Sequence, residues 1–351
     1  MNTNISENHI FYLCRKEVEQ ACAEMDSVAI IREVIGLHGS KQTVLPDEAY
    51  LGWTNNKGEQ VRSLNMPAYI GGSFNMAGTK IINGNIDNSK RGLPRASGVT
   101  LLYDDTSVRI LCVMEGAYLS SLRTACITAL SVDLLAGQQL QCIAIIGAGA
   151  LALAHIDLLV KRLPHLQQIQ LFDIDKERIQ HLQEQRAGFL RENGVVLRIS
   201  ASVKEAISSA QLVIPVTTTT VGYIPFSWLQ PGALLVNVSL DDPLPEVVFK
   251  ANKVIVDDWN LVKSDTKRLL GRMYRQGQIR GPHDAAVQPR SGQRQIDAEL
   301  GEIVCGTKPG RVTQGEIILV NPFGLAIEDV ALSAHVYRMA HQLNIGTWLP
   351  R

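Results

Sequence analysis

Residues 142–159, CIAIIGAGALALAHIDLL, decide the fold of this chain of 351 residues. An apolar run typical of a buried strand leads into the pattern G-x-G-x-x-A, and an apolar helical pattern follows. The first glycine permits a tight turn, the second lets a pyrophosphate approach the backbone, and the small third residue lets helix and strand pack closely. The N-terminus of that helix would present unpaired N–H groups and the positive end of the helix dipole to a phosphate. The turn therefore predicts a dinucleotide-binding site. We assign six residues to it: Gly147, Ala148, Gly149, Ala150, Leu151 and Ala152.

Downstream of this turn the sequence alternates regularly between strand-like and helical segments. Apolar runs recur at IQLFD, VVLRI, LVIPV, LLVNV and VIVDD, and helical patterns such as residues 175–194 lie between the earlier ones. This alternation is typical of an α/β fold with a doubly wound parallel sheet, the Rossmann fold. We expect the Rossmann domain to occupy residues 126–320.

The flanking segments differ from this pattern. Residues 1–125 mix strand-like runs with turn signals, and the stretch 113–137, which follows the last of these runs, predicts one long helix. A polar stretch at 272–295 is expected to form an exposed helix and loop, EIILVN a final strand, and the tail an amphipathic helix. Since the length suits two domains, we expect residues 1–125 and 321–351 to form one α+β substrate domain, into which the Rossmann domain is inserted.

Composition narrows the class of partner. The chain has 34 basic and 34 acidic residues and no net charge, so it lacks the basic surface that nucleic acid or anionic lipid requires, and a small molecule is the expected partner. The N-terminus lacks the features of a signal peptide, and the most apolar stretch is too short to span a bilayer, which predicts a cytoplasmic protein. Six scattered cysteines and eight dispersed histidines predict no metal site.

Two further places in the Rossmann pattern are candidates for cofactor contacts. Asp173 ends the second strand, where a carboxylate binds ribose hydroxyls and repels a 2′-phosphate, so NAD is favoured over NADP. The alternative is that Asp173 only caps the next helix, a task that Asp175 could perform instead. Thr217 and Thr218 follow the fourth strand and could bind ribose or nicotinamide, or could form a turn.

Three side chains are candidates for the reacting side. Lys80 is a cation among small and apolar residues, and either faces a site or lies on the surface. Arg123 lies within an otherwise uncharged helical pattern, so its guanidinium is expected to face a carboxylate. Asp242 follows a strand at the mouth of the sheet and could accept a proton, although Asp241 beside it is an equal alternative.

Several segments together resemble the ornithine cyclodeaminase/μ-crystallin family over essentially the whole chain: VMEGAYLSSLRTACITAL, IIGAGALA, NVSLDD and NPFGLAIEDV. Within that family, MPAYIGG, KRGLPRASGV, VIVDDW, DAELGEIV and NIGTWL are most similar to the branch that forms 2,3-diaminopropionate. The resemblance implies that Lys80 and Arg123 contact the substrate carboxylate, that Asp242 is catalytic and that Asp173 binds ribose. We also assign Asn237 and Ser239 to the cofactor site. The resemblance further implies a homodimer formed through the substrate domain.

The implied activity follows from this branch. It is NAD-dependent oxidative hydrolysis of N-(2-amino-2-carboxyethyl)-L-glutamate to L-2,3-diaminopropionate and 2-oxoglutarate, for a siderophore or related secondary metabolite. A substrate with three carboxylates needs further cations, and Arg91 and Arg95 are candidates. Ornithine cyclodeaminases have a glutamate shortly before Met66 and a glycine pair before the catalytic aspartate. This chain departs from both features, which weakens the hypothesis that it cyclodeaminates ornithine.

Three other activities remain open within the resemblance. They are ornithine cyclodeaminase, an amino-acid dehydrogenase or ketimine reductase, and an NAD-dependent binding protein without catalysis. Retention of all three presumed reacting residues argues against the last of these.

Overall fold

The computed structural model describes residues 8–284 and 292–351. The strands are β1 His9–Leu13, β2 Thr43–Val44, β3 Ala49–Thr54, β4 Gln60–Ile70, β5 Met76–Asn85, β6 Ala96–Tyr103, β7 Ile110–Glu115, β8 Cys142–Ile146, β9 Gln168–Phe172, β10 Val196–Ile199, β11 Leu212–Pro215, β12 Leu234–Val236, β13 Lys253–Val256, β14 Ile279–Arg280, β15 Arg294–Gln295, β16 Ala298–Glu299, β17 Ile318–Val320 and β18 Thr347–Pro350. The helices are α1 Arg15–Ala23, α2 Ser27–Gly39, α3 Ala117–Leu135, α4 Ala150–Arg162, α5 Lys176–Glu192, α6 Val203–Ser208, α7 Pro245–Lys250, α8 Trp259–Ser264, α9 Leu269–Arg275, α10 Leu300–Val304 and α11 Ala326–Leu343, with short 3-10 turns at Ile86–Arg91 and Phe226–Trp228.

These elements form two units. Unit 1 consists of Met1–Arg123 and Leu325–Arg351, and unit 2 of Thr124–Gly324. Unit 2 is therefore inserted in the sequence of unit 1.

The sheet of unit 1 has the strand order β18-β1-β7-β6-β5-β4-β2, and β3 also pairs with β4. Strands β4, β5, β6 and β7 are antiparallel to one another, whereas β1 and β7 are parallel. Helix α11 packs on β4, β5 and β6 and also contacts α1 and α2. Since Val330, Leu332 and Val336 of this helix are fully buried, α11 is the central helix of the unit 1 core.

The sheet of unit 2 is parallel, with the order β10-β9-β8-β11-β12-β17-β13-β16. The predicted Rossmann fold is thus confirmed. From β8 the order runs outward through β9 and β10 on one side and through β11 and β12 on the other, so the end of β8 is the topological switch point where ligands bind in such sheets. Buried aliphatic side chains such as Ile146, Val213 and Leu235 fill the core of this unit.

Three local predictions are wrong, each for an identifiable reason. Val113 and its neighbours belong to β7 and not to the helix, because buried Cys112 and Met114 alternate with less buried residues at the two-residue period of a strand. EIILVN forms β17, but β18 follows it and pairs with β1. The polar stretch begins in α9, where Met273 is only 2% exposed, so this helix is not an exposed one. Residues 285–291 of that stretch lie outside the described residues.

Among the described residues, no helix combines the length and the apolar character that crossing a bilayer requires.

Candidate active site

The carboxyl ends of adjacent parallel strands in unit 2 carry most of the predicted cofactor residues. Gly147 follows β8, Asp173 follows β9, Thr217 lies just beyond β11, and Asn237 follows β12. Because parallel strands end at the same edge of the sheet, the fold brings these four positions to one edge.

The glycine turn after β8 has two kinds of constraint. Gly147 has φ +112°, and a Cβ there would lie 3.0 Å from the carbonyl oxygen of Val216, so a side chain would be both strained and crowded. A Cβ at Gly149 would meet nothing within 4 Å. Gly149 is also the N-cap of α4, and Ala152 within that helix is fully buried. The turn therefore leaves open space in front of a helix N-terminus, which suits a phosphate group.

Asp173 is directed at this turn. Its Oδ2 accepts a hydrogen bond from the backbone N–H of Ala148 at 2.7 Å, and its Oδ1 accepts one from the N–H of Asp175 at 2.8 Å. Asp175 is the N-cap of α5 and accepts from the N–H groups of Glu177 and Arg178. The capping role thus belongs to Asp175, and Asp173 stays beside the glycine turn. Ile174, which the sequence analysis did not single out, is 93% exposed between them.

The threonines beyond β11 form a turn and also contact an acid. The N–H of Thr219 donates to Oγ1 of Thr217 at 3.1 Å, and the N–H of Val221 donates to Oγ1 of Thr219 at 3.2 Å. The hydroxyl of Thr217 donates to Oδ1 of Asp242 at 2.7 Å, whereas Thr218 is exposed. Thr217 therefore orients a carboxylate in addition to shaping the turn.

Asn237 and Ser239 bond within the loop that follows β12. The fully buried amide of Asn237 donates to Oδ1 of Asn321 at 2.7 Å. The hydroxyl of Ser239 lies 3.2 Å from Oδ1 of Asn237 and also bonds to Oδ2 of Asp242. Both side chains therefore fix the shape of this loop, and their contact with cofactor stays a prediction.

Asp242 is fully buried and is surrounded by hydroxyl groups. Its Oδ1 accepts from Thr217 and from the hydroxyl of Tyr223, each at 2.7 Å, and its Oδ2 accepts from Ser239. We call these three hydroxyl groups the hydroxyl cluster. Burial, followed by the negative charge of Asp242, raises the pKa of Tyr223 well above its usual range, so the phenol remains a donor. Such an arrangement stabilises a carboxylate without a cation.

Asp241, the alternative to Asp242, has different partners. Its Oδ1 accepts from the backbone N–H of Leu269 at 2.7 Å, and its Oδ2 accepts from Arg272 at 2.8 Å. Leu269 is the first residue of α9, so Asp241 combines an ion pair with an anion at a helix N-terminus. The structure thus gives Asp241 a structural environment and leaves the hydroxyl cluster to Asp242.

Lys80 of β5 is buried in unit 1, with 1% of its surface exposed, which excludes the surface alternative. Its ammonium donates to Oδ2 of Asp329 at 2.6 Å and to the hydroxyl of Ser120 at 3.4 Å. Burial lowers the pKa of Lys80, Asp329 opposes this effect, and the neighbouring Arg123 adds to it.

Arg123 of α3 lies in the same cluster. Its Nη1 donates to Oε2 of Glu328 at 3.0 Å, and its Nε lies 3.6 Å from Oδ2 of Asp329. Both acids are fully buried, whereas the Arg123 side chain is 13% exposed. We call Lys80, Arg123, Glu328 and Asp329 the four-charge cluster. The positive charges of its two cations equal the negative charges of its two carboxylates.

Polar atoms without partners surround this cluster. Oδ1 of Asp329, Oγ1 of Thr100 and the hydroxyl of Ser333 are buried and have no hydrogen-bond partner within the described part of the chain. Thr100 is the direct neighbour of Lys80 on the adjacent strand. Since buried polar groups are normally satisfied, this cluster has the properties of a site for a polar ligand.

The remaining predicted cations are placed differently. The guanidinium of Arg91 binds both carboxylate oxygens of Glu59 and contacts Asn88. Asn55 and Asn85 also donate to Glu59, and together these contacts lower the pKa of Glu59 well below its usual range, with the Arg91 hydrogen bond as the largest cause. Arg95 is exposed. Neither arginine is a member of the four-charge cluster, and their contact with substrate stays a prediction.

One set of possible metal ligands was found among the described residues: His283, Glu299 and Glu302. The two glutamates form a capping box at α10, and Glu299 also accepts from the N–H of Trp259 at 2.7 Å. These hydrogen bonds explain the positions of the two glutamates without a metal ion.

The sequence analysis missed three residues at these sites. Tyr223 lies in a short segment between two strands, where no pattern identifies a polar contact. Glu328 and Asp329 lie in the segment NPFGLAIEDV, which supported the resemblance, and two adjacent acids in the first turn of an otherwise apolar helix were a usable signal.

Comparisons with known proteins show which family the chain is similar to. The sequence profile of the family described as "Ornithine cyclodeaminase/mu-crystallin family" matches residues 52–344. The N-((2S)-2-amino-2-carboxyethyl)-L-glutamate dehydrogenase of Staphylococcus aureus is 32% identical, with 97% of this chain and 98% of that protein covered. The crystal structure of CmnK is similar with a TM-score of 0.88 and 31% identity, over 97% of this chain and 98% of CmnK.

A third relative shares the fold. It is an archaeal alanine dehydrogenase dimer solved with bound NAD, similar with a TM-score of 0.80 and 22% identity, over 97% of this chain and 99% of that chain.

Proposed function

We propose a function that starts from family membership: the chain belongs to the ornithine cyclodeaminase/mu-crystallin family, and it is an NAD-dependent oxidoreductase acting on an amine or imine. Within this family, it oxidises and hydrolyses N-(2-amino-2-carboxyethyl)-L-glutamate. The products are L-2,3-diaminopropionate and 2-oxoglutarate. The observation that carries the proposal is the similarity to the Staphylococcus aureus dehydrogenase along nearly the full length of both chains.

The glycine turn of unit 2 fits the cofactor. Open space at Gly149 admits a pyrophosphate, and Asp173 at the end of β9 offers carboxylate oxygens to ribose. NAD⁺, when bound, accepts a hydride from the glutamyl Cα of the substrate. All other chemistry in the proposal belongs to residues of this chain.

Unit 1 supplies the carboxylate binding in this proposal. Lys80 and Arg123 are buried cations, and a buried cation binds a carboxylate more strongly than an exposed one because water competes less. Thr100 and Ser333 offer additional hydroxyl groups. Arg91 and Arg95 are proposed for the more distant carboxylates of the substrate.

Unit 2 supplies the proton transfer. Asp242 takes the proton from the secondary amine as the C=N bond forms at the glutamyl Cα, and it then orients a water molecule for attack on that carbon. The carbinolamine hydroxyl then loses its proton and becomes the carbonyl of 2-oxoglutarate, the C–N bond breaks, and the proton held by Asp242 passes to the departing diaminopropionate amine. One water and one NAD⁺ are consumed for each pair of products, with one NADH formed and one proton released.

A direct test offers the purified enzyme NAD⁺ with N-(2-amino-2-carboxyethyl)-L-glutamate, L-ornithine or L-alanine. The proposal predicts that absorbance at the NADH band rises with the first substrate and that 2-oxoglutarate accumulates in equal amount. Proline formation from ornithine without net NADH would establish a cyclodeaminase instead. Rising absorbance with alanine alone would establish an amino-acid dehydrogenase.

We further propose that the diaminopropionate serves a siderophore or a related secondary metabolite. A gene for a PLP-dependent synthase that uses O-phosphoserine beside the gene for this chain would support this role. A neighbourhood of ornithine-degrading genes would contradict it.

A homodimer formed through unit 1 is also proposed. Every residue of β3 is exposed, and this strand carries Tyr50, Leu51 and Trp53 at 52%, 61% and 46% exposure. Leu51 and Trp53 lie two residues apart and therefore on one face of the strand, and exposed apolar side chains of this kind are typical of a protein interface. Light scattering at micromolar concentration should give the mass of a dimer, and Leu51→Glu should reduce it to that of a monomer. A monomeric wild-type chain would contradict the proposal.

A further inference from the structure

The four-charge cluster is already neutral before any ligand binds. Lys80 and Arg123 carry two positive charges, and Glu328 and Asp329 carry two negative charges, with both acids fully buried. A carboxylate that binds these cations therefore joins two existing carboxylates. Glu328 and Asp329 compete with the ligand carboxylate for these cations, so they must have a role that compensates for this competition.

The geometry separates the two acids. Oδ2 of Asp329 lies 2.6 Å from Nζ of Lys80 and 3.6 Å from Nε of Arg123, so one oxygen atom is shared by both cations. Glu328 contacts Nη1 of Arg123 through Oε2 at 3.0 Å. Asp329 thus links the two cations, and Glu328 holds one edge of the guanidinium.

We propose that Asp329 and Glu328 are positioning residues, which keep Lys80 charged and Arg123 oriented so that a substrate carboxylate meets a preformed pair of donors. The inference rests on the proposed function in assigning that carboxylate to Lys80 and Arg123. The two acids lie next to each other in the first turn of α11, a helix packed on the sheet that carries Lys80, so the positions of both are fixed by the core of unit 1.

Electrostatics gives the reason for Asp329. Burial of an ammonium disfavours its charged form, and Lys80 is 1% exposed. The charged groups that face Lys80 are Asp329 from α11, Arg123 from α3 and Glu48 from the segment before β3. Arg123 lowers the pKa of Lys80, whereas Asp329 and the weaker Glu48 raise it. Without Asp329 the ammonium would lose its largest counter-ion and deprotonate at lower pH.

The first experiment needs no substrate. The Lys80 titration is followed by NMR in protein labelled with ¹³C at lysine Cε, and the signal is assigned by its loss in Lys80→Met. Asp329→Asn should move this titration to lower pH. An unchanged titration would overturn the inference, whatever the substrate of the enzyme proves to be.

The second experiment uses kinetics with N-(2-amino-2-carboxyethyl)-L-glutamate. Asp329→Asn should raise KM about 10- to 100-fold, the usual effect of losing a hydrogen bond to a charged group, with a smaller change in kcat. The alkaline limb of the kcat/KM profile should move to lower pH. Asp329→Glu keeps the negative charge and should return the alkaline limb to its wild-type pH. If Asp329→Asn does not fold, Asp329→Glu is used in its place. A wild-type limb in Asp329→Asn would overturn the inference.

One control variant separates positioning from stability. Asp297→Asn removes a carboxylate of unit 2 that accepts from Arg294 at 2.6 Å and from the N–H of Val254 at 2.7 Å. It should lower stability without moving the Lys80 titration or the alkaline limb. Absence of turnover in the wild-type enzyme would contradict the proposed function, while the NMR titration would still decide the role of Asp329.

Discussion

The two candidate sites of this chain stabilise buried charges in opposite ways. In unit 1, the four-charge cluster balances two cations with two carboxylates. In unit 2, Asp242 is equally buried, but its neighbours in the hydroxyl cluster are neutral donors. The first arrangement fixes charges that have to stay in place, whereas the second stabilises a carboxylate that remains able to accept a proton.

From this difference we propose separate tasks for the two sites. A base held by a cation would be a weak proton acceptor, because the ion pair favours its ionised form. The described partners of Asp242 are hydroxyl groups and include no cation. Substitutions that exchange one kind of partner for the other therefore test the assignment.

The largest effect is expected at the hydroxyl cluster. Asp242→Asn removes the proton acceptor and should lower kcat by about 10²- to 10⁴-fold, the usual contribution of a general base. NADH affinity, measured by fluorescence titration, should remain close to that of the wild type.

Asp241→Asn is the matched control, because it removes the neighbouring carboxylate from its ion pair with Arg272. It should lower thermal stability and change kcat far less than Asp242→Asn. The reverse order of the two kcat values would show that Asp241 is the base.

In the four-charge cluster, Arg123→Lys keeps the charge and loses the planar fork. Because a displaced carboxylate moves the reacting carbon away from its proper position, KM should rise and kcat should fall, with kcat/KM lower by about 10²-fold. Steady-state kinetics measures both constants. Arg186→Lys, in a part-buried bidentate pair with Asp157, should leave both unchanged.

A normal kcat/KM in folded Arg123→Lys would make Arg123 a structural ion pair. The carboxylate would then have to bind at Lys80, Arg91 or Arg95.

A smaller effect is expected when one donor of the hydroxyl cluster is removed. Tyr223→Phe deletes the O–H group that donates to Asp242 at 2.7 Å, so the carboxylate form loses part of its stabilisation. The carboxylate is then held less firmly, and kcat should fall by about 10-fold. Tyr274→Phe, on a tyrosine packed against Trp259, serves as control and should keep the wild-type kcat. A wild-type kcat in Tyr223→Phe would show that Tyr223 does not support the base.

His155 gives the smallest effect, on stability alone. It is fully buried between the hydroxyl of Thr128 and the carbonyl oxygen of Leu151, and burial lowers its pKa from 6.5 to about 4. The unfolded chain takes up this proton near pH 6.5 and the folded one only near pH 4, so stability is complete above pH 6.5 and is lost as the pH falls.

The loss at pH 5 should be about 2 kcal/mol relative to pH 7, measured by urea unfolding. His155→Gln should show a smaller difference between the two pH values, and His181→Gln, at an exposed histidine, should match the wild type. Equal pH dependence in all three proteins would contradict this account of His155.

Much of the fold could be predicted because it depends on local patterns. The run of aliphatic residues before Gly147 and the alternation that follows it specify a parallel sheet whatever the rest of the chain does. The strand at Val113 was missed because β7 and α3 adjoin with a single residue between them, and small apolar residues satisfy both periods there.

The candidate sites were only partly predictable, because their partners are distant in sequence. Lys80 and Asp329 are separated by 249 residues, and no local pattern reports such a pairing. The choice between Asp241 and Asp242 likewise depended on long-range contacts, namely the start of α9 for one and Tyr223 for the other. Residue type could identify the charged groups, but only the fold shows how each charge is balanced.

We propose that this enzyme oxidises the glutamyl Cα and that the electrons stay on the nicotinamide. A test uses N-(2-amino-2-carboxyethyl)-L-glutamate with deuterium at that carbon, and mass spectrometry of the dinucleotide after turnover. We expect one deuterium in each NADH, together with one 2-oxoglutarate and one diaminopropionate. Unlabelled dinucleotide, or label returned to an amino-acid product without net NADH, would contradict it.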